Sequence, residues 1–429
     1  MNKLSVLSLL NNRSRLFEIL NQSIPFLMGI FIFFSPYPRF TAILEISFYG
    51  SVLILLTLIF LKKTTFSLRT PLTVPFLLFV LWCFSGLFFA LNKENSINDF
   101  YAHLIKYLVI FYMLFNFFNT KEKLIILVWT IIISTAFFSA GIMIYYYLIL
   151  GKDISIKLGL NMTELPSNII GISTLFAILL SFLQLKHEVI GYRKIILAVC
   201  ISATTVAMLA TNARGTILAM IVSLLLLGPK NKKISLFLFL FIALMISIMP
   251  VKGRFSPDIM DQIHRDARVN ILYCFGEIVK DYPVVGIGFG MQTYDDQSLL
   301  RKYNERVPIK YRQDATVIAA PHNMLMDIAV RTGVVGLLLF LYIIFAFVHM
   351  GWKILKYGKN DFIRNWGYCF IVAFVAIFIQ GLFENTLSGT PAIVLFTIWG
   401  MMSILWHLDT EANIYKIDTV ENDGLIKSQ

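Results

Sequence analysis

Apolar residues run through this chain in stretches separated by short polar connections and by one long one. A helix needs roughly 20 apolar residues to cross the hydrocarbon of a bilayer, and that template predicts about twelve spans along the chain. They lie at approximately 16–35, 41–61, 72–91, 101–118, 124–149, 169–185, 194–211, 214–229, 234–250, 332–352, 365–383 and 391–408. Two are irregular: the fourth carries His103 and Lys106 in its first turns, and the eighth is short.

The long polar interval, from Val251 to about Arg331, has a pattern of its own. Leu272, Phe275, Ile278 and Val279 recur at helical spacing until Pro283 stops them, which predicts an amphipathic helix from about Arg268 to Lys280. A second helical piece is expected from about Thr293 to Asn304. Asn323 is placed to cap a third that leads into the tenth span, and Asp327 and Arg331, four apart, can pair on one face of it. The chain therefore divides into membrane helices over 1–250, a mainly helical loop domain over 251–331, membrane helices over 332–408, and a polar tail over 409–429 that is expected to be mobile.

Composition supports this reading. Of 429 residues 58% are hydrophobic and 14% charged, against about 25% charged in soluble domains, so the fold class is an all-α integral membrane protein. The formal net charge of +12 follows from topology rather than from a polyanionic partner. Lys62, Lys63, Arg69, Lys121, Lys123, Lys186, Arg193, Lys194, Lys353, Lys356, Lys359 and Arg364 all fall in short connections on one side. The other side holds little beyond Arg39, Lys93, Lys152, Lys157 and Arg214. The positive-inside bias then makes both termini cytoplasmic and puts the loop domain outside, in the periplasm of a bacterium with an outer membrane. No basic stretch is interleaved with stacking aromatics, which argues against nucleic acid. Cys83, Cys200, Cys274 and Cys369 are scattered singly, without metal or redox spacing. Lys3, Arg13 and Arg15 precede an apolar run without a small-residue cleavage site, so the first span is expected to be retained.

Candidate chemistry gathers on the outer side. His322, in Pro321-His322-Asn323 at a loop-to-helix junction, can take a proton near neutral pH, or can serve as an interfacial residue bonded to a backbone carbonyl. His264 is similar in type but stands among ordinary loop residues. Arg214, in Thr211-Asn212-Ala213-Arg214-Gly215, sits where the charge bias disfavours a cation; an ionisable group at membrane depth is a functional candidate, unless it snorkels to headgroups. Arg265 and Arg268 are expected to open the amphipathic helix, where a cation opposes the dipole unless an anion is bound. Arginines converging at the outer rim suit a lipid-borne diphosphate, because the planar fork bonds phosphate oxygens in pairs. The run from Gly286 to Gly290, with Gly288 at its centre, lacks the lysine of a phosphate loop and reads as flexible backbone that lets chain or lipid approach closely. The carboxylates Asp258, Asp261, Asp266, Glu277 and Asp281 have no metal-holding pattern, so no metal or other cofactor is expected.

Taken in order, Arg214-Gly215 opening a span, Arg268 on a helix, Asp281-Tyr282-Pro283-Val284-Val285-Gly286-Ile287-Gly288-Phe289-Gly290 ending it, Pro321-His322-Asn323, and Gly333-Val334-Val335-Gly336 resemble the O-antigen ligase and polymerase superfamily. The resemblance covers nearly the whole chain, although Tyr273 stands where commoner members have a tryptophan. It implies an inner-membrane glycosyltransferase, inverting and metal-independent. Such an enzyme takes a glycan from a polyprenyl diphosphate carrier and, in the ligase branch, passes it to lipid A-core outside the cytoplasm. It also implies that Arg214 and Arg268 are the essential arginines and His322 the essential histidine. Beside them the residues themselves suggest Arg265 as a further diphosphate ligand and Asn323, Gly288 and His264 in support. Within the superfamily the rival is a polymerase that joins lipid-linked repeats. Outside it, the rivals are a flippase for the lipid-linked glycan, or a loop that only scaffolds other envelope enzymes.

Overall fold

A computed structural model describes residues 3–154, 156–159, 167–228, 236–237, 240, 259–313, 317 and 320–426, with backbone only at 3–14, 168, 259–266 and 411–426. Every described element is helical. Helices α1 (Lys3–Phe34) and α2 (Thr41–Phe60) pack as a pair, followed by α3 (Thr73–Gly86) with a short 3-10 extension. A short polar helix, α4 (Lys93–Asp99), leads through a π-helical turn into α5 (Lys106–Phe117). Next come α6 (Lys121–Met143), α7 (Ser167–His187), α8 (Gly191–Thr211) and α9 (Arg214–Leu227). The loop domain contributes α10 (Ile259–Asp281) and α11 (Gln297–Asn304). The chain returns to the bundle through α12 (Met324–Tyr357), α13 (Asp361–Gly381) and α14 (Gly389–Ile426).

Among the described residues nine helical segments are long and apolar enough to cross a membrane, and the α3 and α9 segments are apolar but shorter. Together they correspond to the predicted spans other than 234–250, which, apart from 236–237 and 240, lies outside the described residues. The protein is thus a multi-pass membrane protein. The irregular fourth span is explained by its neighbours. The π turn at Phe100–Ile105 inserts one residue per turn and re-aims α5. It delivers the Lys106 ammonium to both oxygens of Glu45 on α2, at 2.6 and 2.8 Å, and over the rings of Phe48 and Tyr49. A cation in an apolar stretch is tolerated because its charge is met there.

In the polar tail after Asp409, α14 continues as helix to Ile426; the tail contains no proline, and its glycine comes only at Gly424. One expectation needs correction. Arg265 and Arg268 do not open their helix, because α10 already runs from Ile259. They lie in its second and third turns, so the dipole argument for a bound anion does not hold.

The loop domain has its own core. Ile271, Cys274, Phe275 and Ile278 of α10 pack with Tyr294, Leu300, Tyr303 and Val330. Leu272, expected on the inner face, is instead exposed: Ile271 shares the arc of Phe275 and Ile278 at 100° per residue, and one residue of phase turns Leu272 outward. Buried Asn270 ties α10 to Asn304 and to the Tyr311 carbonyl.

At the far end of α10, Asp281 accepts hydrogen bonds from Arg306 (2.8 Å) and Tyr303 (3.0 Å). The Arg306 bond first, then that of Tyr303, holds its carboxyl below the usual range. A depressed carboxylate contributes stability that is fully present above its unfolded pKa of about 3.9 and is lost as pH falls through the lower folded value. Hydrogen exchange over 297–306, taken relative to the intrinsic rate at each pH, is therefore expected to be unchanged between about pH 7 and 5 and to accelerate only below about 3.9. Asp281→Asn is expected to bring on that acceleration at neutral pH; unaltered exchange in this variant would show that the pairing does not hold α11 in place.

The junction between domain and bundle is a break in α12. Gly333 has φ 70° and ψ −177°, a region open essentially to glycine alone, and a Cβ there would overlap the Val284 carbonyl. The break frees the Thr332 carbonyl to accept from Trp82 Nε1 at 2.9 Å and lets Val334 N–H reach Pro283 O at 2.7 Å. The short first piece of α12, Met324 to Thr332, is thereby held above the bundle. Its Asp327 and Arg331 pair at 3.1 Å with both side chains fully buried. Tyr294 donates to the same carboxylate at 2.7 Å, and Arg331 Nε donates to Phe289 O.

Candidate functional site

The glycine run after α10 is pinned rather than flexible. Ile287 and Gly288 N–H groups bond the carbonyls of Val330 and Arg331, and Leu91 N–H bonds Ile287 O. Gly290, Met291 and Gln292 N–H groups are taken by Ser96, Asp99 and Asn95 of α4. Gly288, at φ +111°, leaves no room for a Cβ against Ala90 and Ser96. The close approach expected of this run is real, and it is made to chain rather than to lipid. It clamps the loop domain between α4 and α12.

Three sequence-distant segments meet the connection between α13 and α14, at Leu382-Phe383-Glu384. The first is the α8–α9 turn. Asn212 adopts the left-handed conformation (φ 51°, ψ 30°), which asparagine tolerates, so the chain reverses within three residues and Arg214 becomes the first residue of α9. Gly215 then rests on Phe383, where a Cβ would lie 3.3 Å from the phenyl group. The second is α10, whose Arg268 guanidinium carbon lies 5.8 Å from the centroid of the same ring. The third is the start of α12. Asn323 caps it through the N–H groups of Leu325 and Met326, and its amide donates to Leu382 O at 3.1 Å.

His322 precedes that cap at φ +46°, a conformation uncommon for a residue with a side chain. Its Nδ1 lies 3.1 Å from Glu384 Oε2. An ionised carboxylate only accepts, so neutral His322 carries its proton on Nδ1 and leaves Nε2 as the acceptor. Arg214, Arg268 and His322 are all exposed; Arg268 lies beside Phe383 and His322 beside Glu384, and Arg214 immediately precedes Gly215, which rests on Phe383. His264 and Arg265 fall within α10, but their side chains lie outside the described residues.

Glu384 is not among the residues that sequence reasoning singles out. The available signal is a carboxylate in the short connection between the last two predicted spans, on the side of Arg214. Phe383 carries no signal, since one phenylalanine among 38 is unremarked. Among the described residues no three His, Cys, Asp or Glu side chains come close enough together to hold a metal ion.

The architecture defines a multi-pass helical membrane protein with a loop domain docked on the bundle, and with Gly215, Arg268, His322 and Glu384 gathered at their junction. Residues 195–341, from α8 into α12, match the family model described as O-Antigen ligase, which supports the resemblance to the O-antigen ligase and polymerase superfamily. The matched segment contains Arg214, Arg268 and His322 and stops short of Glu384. No match to a curated protein is found.

Proposed function

We propose that the protein is an inner-membrane glycosyltransferase that moves a glycan from a polyprenyl diphosphate carrier to lipid A-core, at a site facing the periplasm, with both termini cytoplasmic. The observation that carries this reading is the convergence of Gly215, Arg268, His322 and Asn323 on Leu382-Phe383-Glu384 of one connection, although the first and last of them are more than 100 residues apart. The acceptor hydroxyl oxygen attacks the anomeric carbon of the donor as the bond from that carbon to the diphosphate oxygen breaks. The hydroxyl proton passes to His322 Nε2. Arg214 and Arg268, with Arg265, hold the diphosphate and stabilise the charge that builds on it as it leaves. Asn323 and Gly288 support the site by fixing the start of α12 and the clamp beneath it, and His264 stands as a further polar residue of α10.

The polymerase branch of the superfamily fits the family match equally. Lipopolysaccharide gels from a deletion strain separate the two readings. Loss of a ligase leaves bare lipid A-core and long carrier-linked chains, whereas loss of a polymerase leaves core carrying one repeat. Arg268→Ala, present in the membrane at wild-type level, is expected to lower transfer by about 10²–10³, the loss typical of removing one charge-stabilising donor. Full transfer by this variant would remove the diphosphate-binding role.

A further inference from the structure

The end of the bundle remote from His322 carries a second built feature. Helix α13 has 21 residues, so at 1.5 Å per residue its first turn lies roughly 25–30 Å from the Phe383-Glu384 site. Beside that first turn, among the last turns of α7 and α9, is a cavity of about 350 Å³, within the range of roughly 300–1,000 Å³ usual for ligand pockets. Leu179, Phe182, Leu183 and Leu227 form apolar walls, and Lys186 and Arg364 stand with them. Leu179 is buried and both cations are exposed, so the pocket grades from apolar depth to a basic rim.

The rim is organised. Arg364 donates to Asp361 at 2.6 Å and to Gly358 O at 3.2 Å, which orients its fork and occupies two of five donors. Lys121, with its ammonium 4.8 Å from the Phe362 ring centroid, brings a third cation to the same helix start. Of the nearby carboxylates, Asp361 faces Arg364, while Glu188 is turned toward Gln184, Arg193 and the backbone N–H groups of Val189 and Ile190. The balance at the rim is positive. A free phosphate would have no use for the apolar depth, and a neutral acyl chain would have none for the cations. An anionic glycerophospholipid matches both.

We propose that this cavity seats one anionic glycerophospholipid of the leaflet opposite the His322 site, its phosphate between Lys186 and Arg364 and the upper part of one acyl chain against Leu179 and Leu183. The site joins α7, α9 and α13 and is independent of the transferase reading. The test uses the full chain in nanodiscs containing photoreactive phosphatidylglycerol with the diazirine in its acyl chain, or the matching phosphatidylcholine as control. Mass spectrometry of the wild-type protein is expected to place crosslinks within 179–186 and 364–369, several-fold more with the glycerol headgroup. Labelling elsewhere, or equal labelling by the two lipids, overturns the proposal. Lys186→Ala and Arg364→Ala are each expected to cut the phosphatidylglycerol preference roughly fivefold, the usual contribution of one cation near an anionic headgroup. Leu183→Trp, which fills the cavity and leaves the charge unchanged, is expected to abolish the labelling. Undiminished labelling in Leu183→Trp would show that the cations act through the membrane surface alone and would overturn the acyl seat.

Discussion

Transfer by a His322→Ala variant is expected to fall by about 10²–10⁴, the range lost with a positioned general base, while the protein stays folded in the membrane. His322 is exposed and its ring is held by Glu384, so its removal opens no core cavity. The companion variant is Glu384→Gln. It keeps the shape of the side chain but can offer Nδ1 an N–H donor, so it no longer requires the proton to stay on Nδ1. Because the pair is partly solvent-exposed, with side chains 45% and 29% accessible, its coupling is screened. The expected loss is therefore smaller, about tenfold or about 1.4 kcal/mol in the barrier.

The split between kcat and KM distinguishes positioning from mere structure. Loss of the carboxylate that orients the imidazole should lower kcat and leave the donor KM unchanged in Glu384→Gln. The rate is measured with purified enzyme, a polyprenyl diphosphate-linked glycan and lipid A-core. A wild-type kcat in Glu384→Gln would remove the positioning role of the carboxylate, and wild-type transfer by His322→Ala would remove the proton-accepting role.

The second large effect is on folding. Arg331→Met leaves the Asp327 carboxylate in a fully buried position with only the Tyr294 hydroxyl to meet it. Breaking one partner of a buried ion pair costs about 3–5 kcal/mol, a large share of the roughly 5–15 kcal/mol that holds a typical domain together. The expected result is low membrane abundance and a sharply lowered Tm in detergent. Removing the second charge as well, in Arg331→Met with Asp327→Asn, should recover part of the loss, because no uncompensated charge then remains. A wild-type Tm for Arg331→Met would show that the pair does not hold the first piece of α12. This signature is the reverse of that of His322→Ala, which stays abundant but inactive, so the two variants separate the scaffold from the site.

Helices and their ends are legible in the sequence because they are set by local physics. Hydrocarbon thickness dictates the length of an apolar run, Pro283 ends α10, and Asn323 caps α12 through N–H groups two and three residues away. The Asp327–Arg331 pair is legible for the same reason, since i and i+4 share a helix face whatever the rest of the chain does. Arg214, Arg268 and His322 can be named one by one from residue type and position. What no local pattern carries is that Phe383 and Glu384, beyond a further membrane helix, stand beside them. Nor does it carry the clamping of Gly288 onto α4, or the break of α12 at Gly333 against Val284. These depend on contacts between residues tens to hundreds of positions apart, which exist only once helices from both halves of the chain have packed and fixed which side chains face one another.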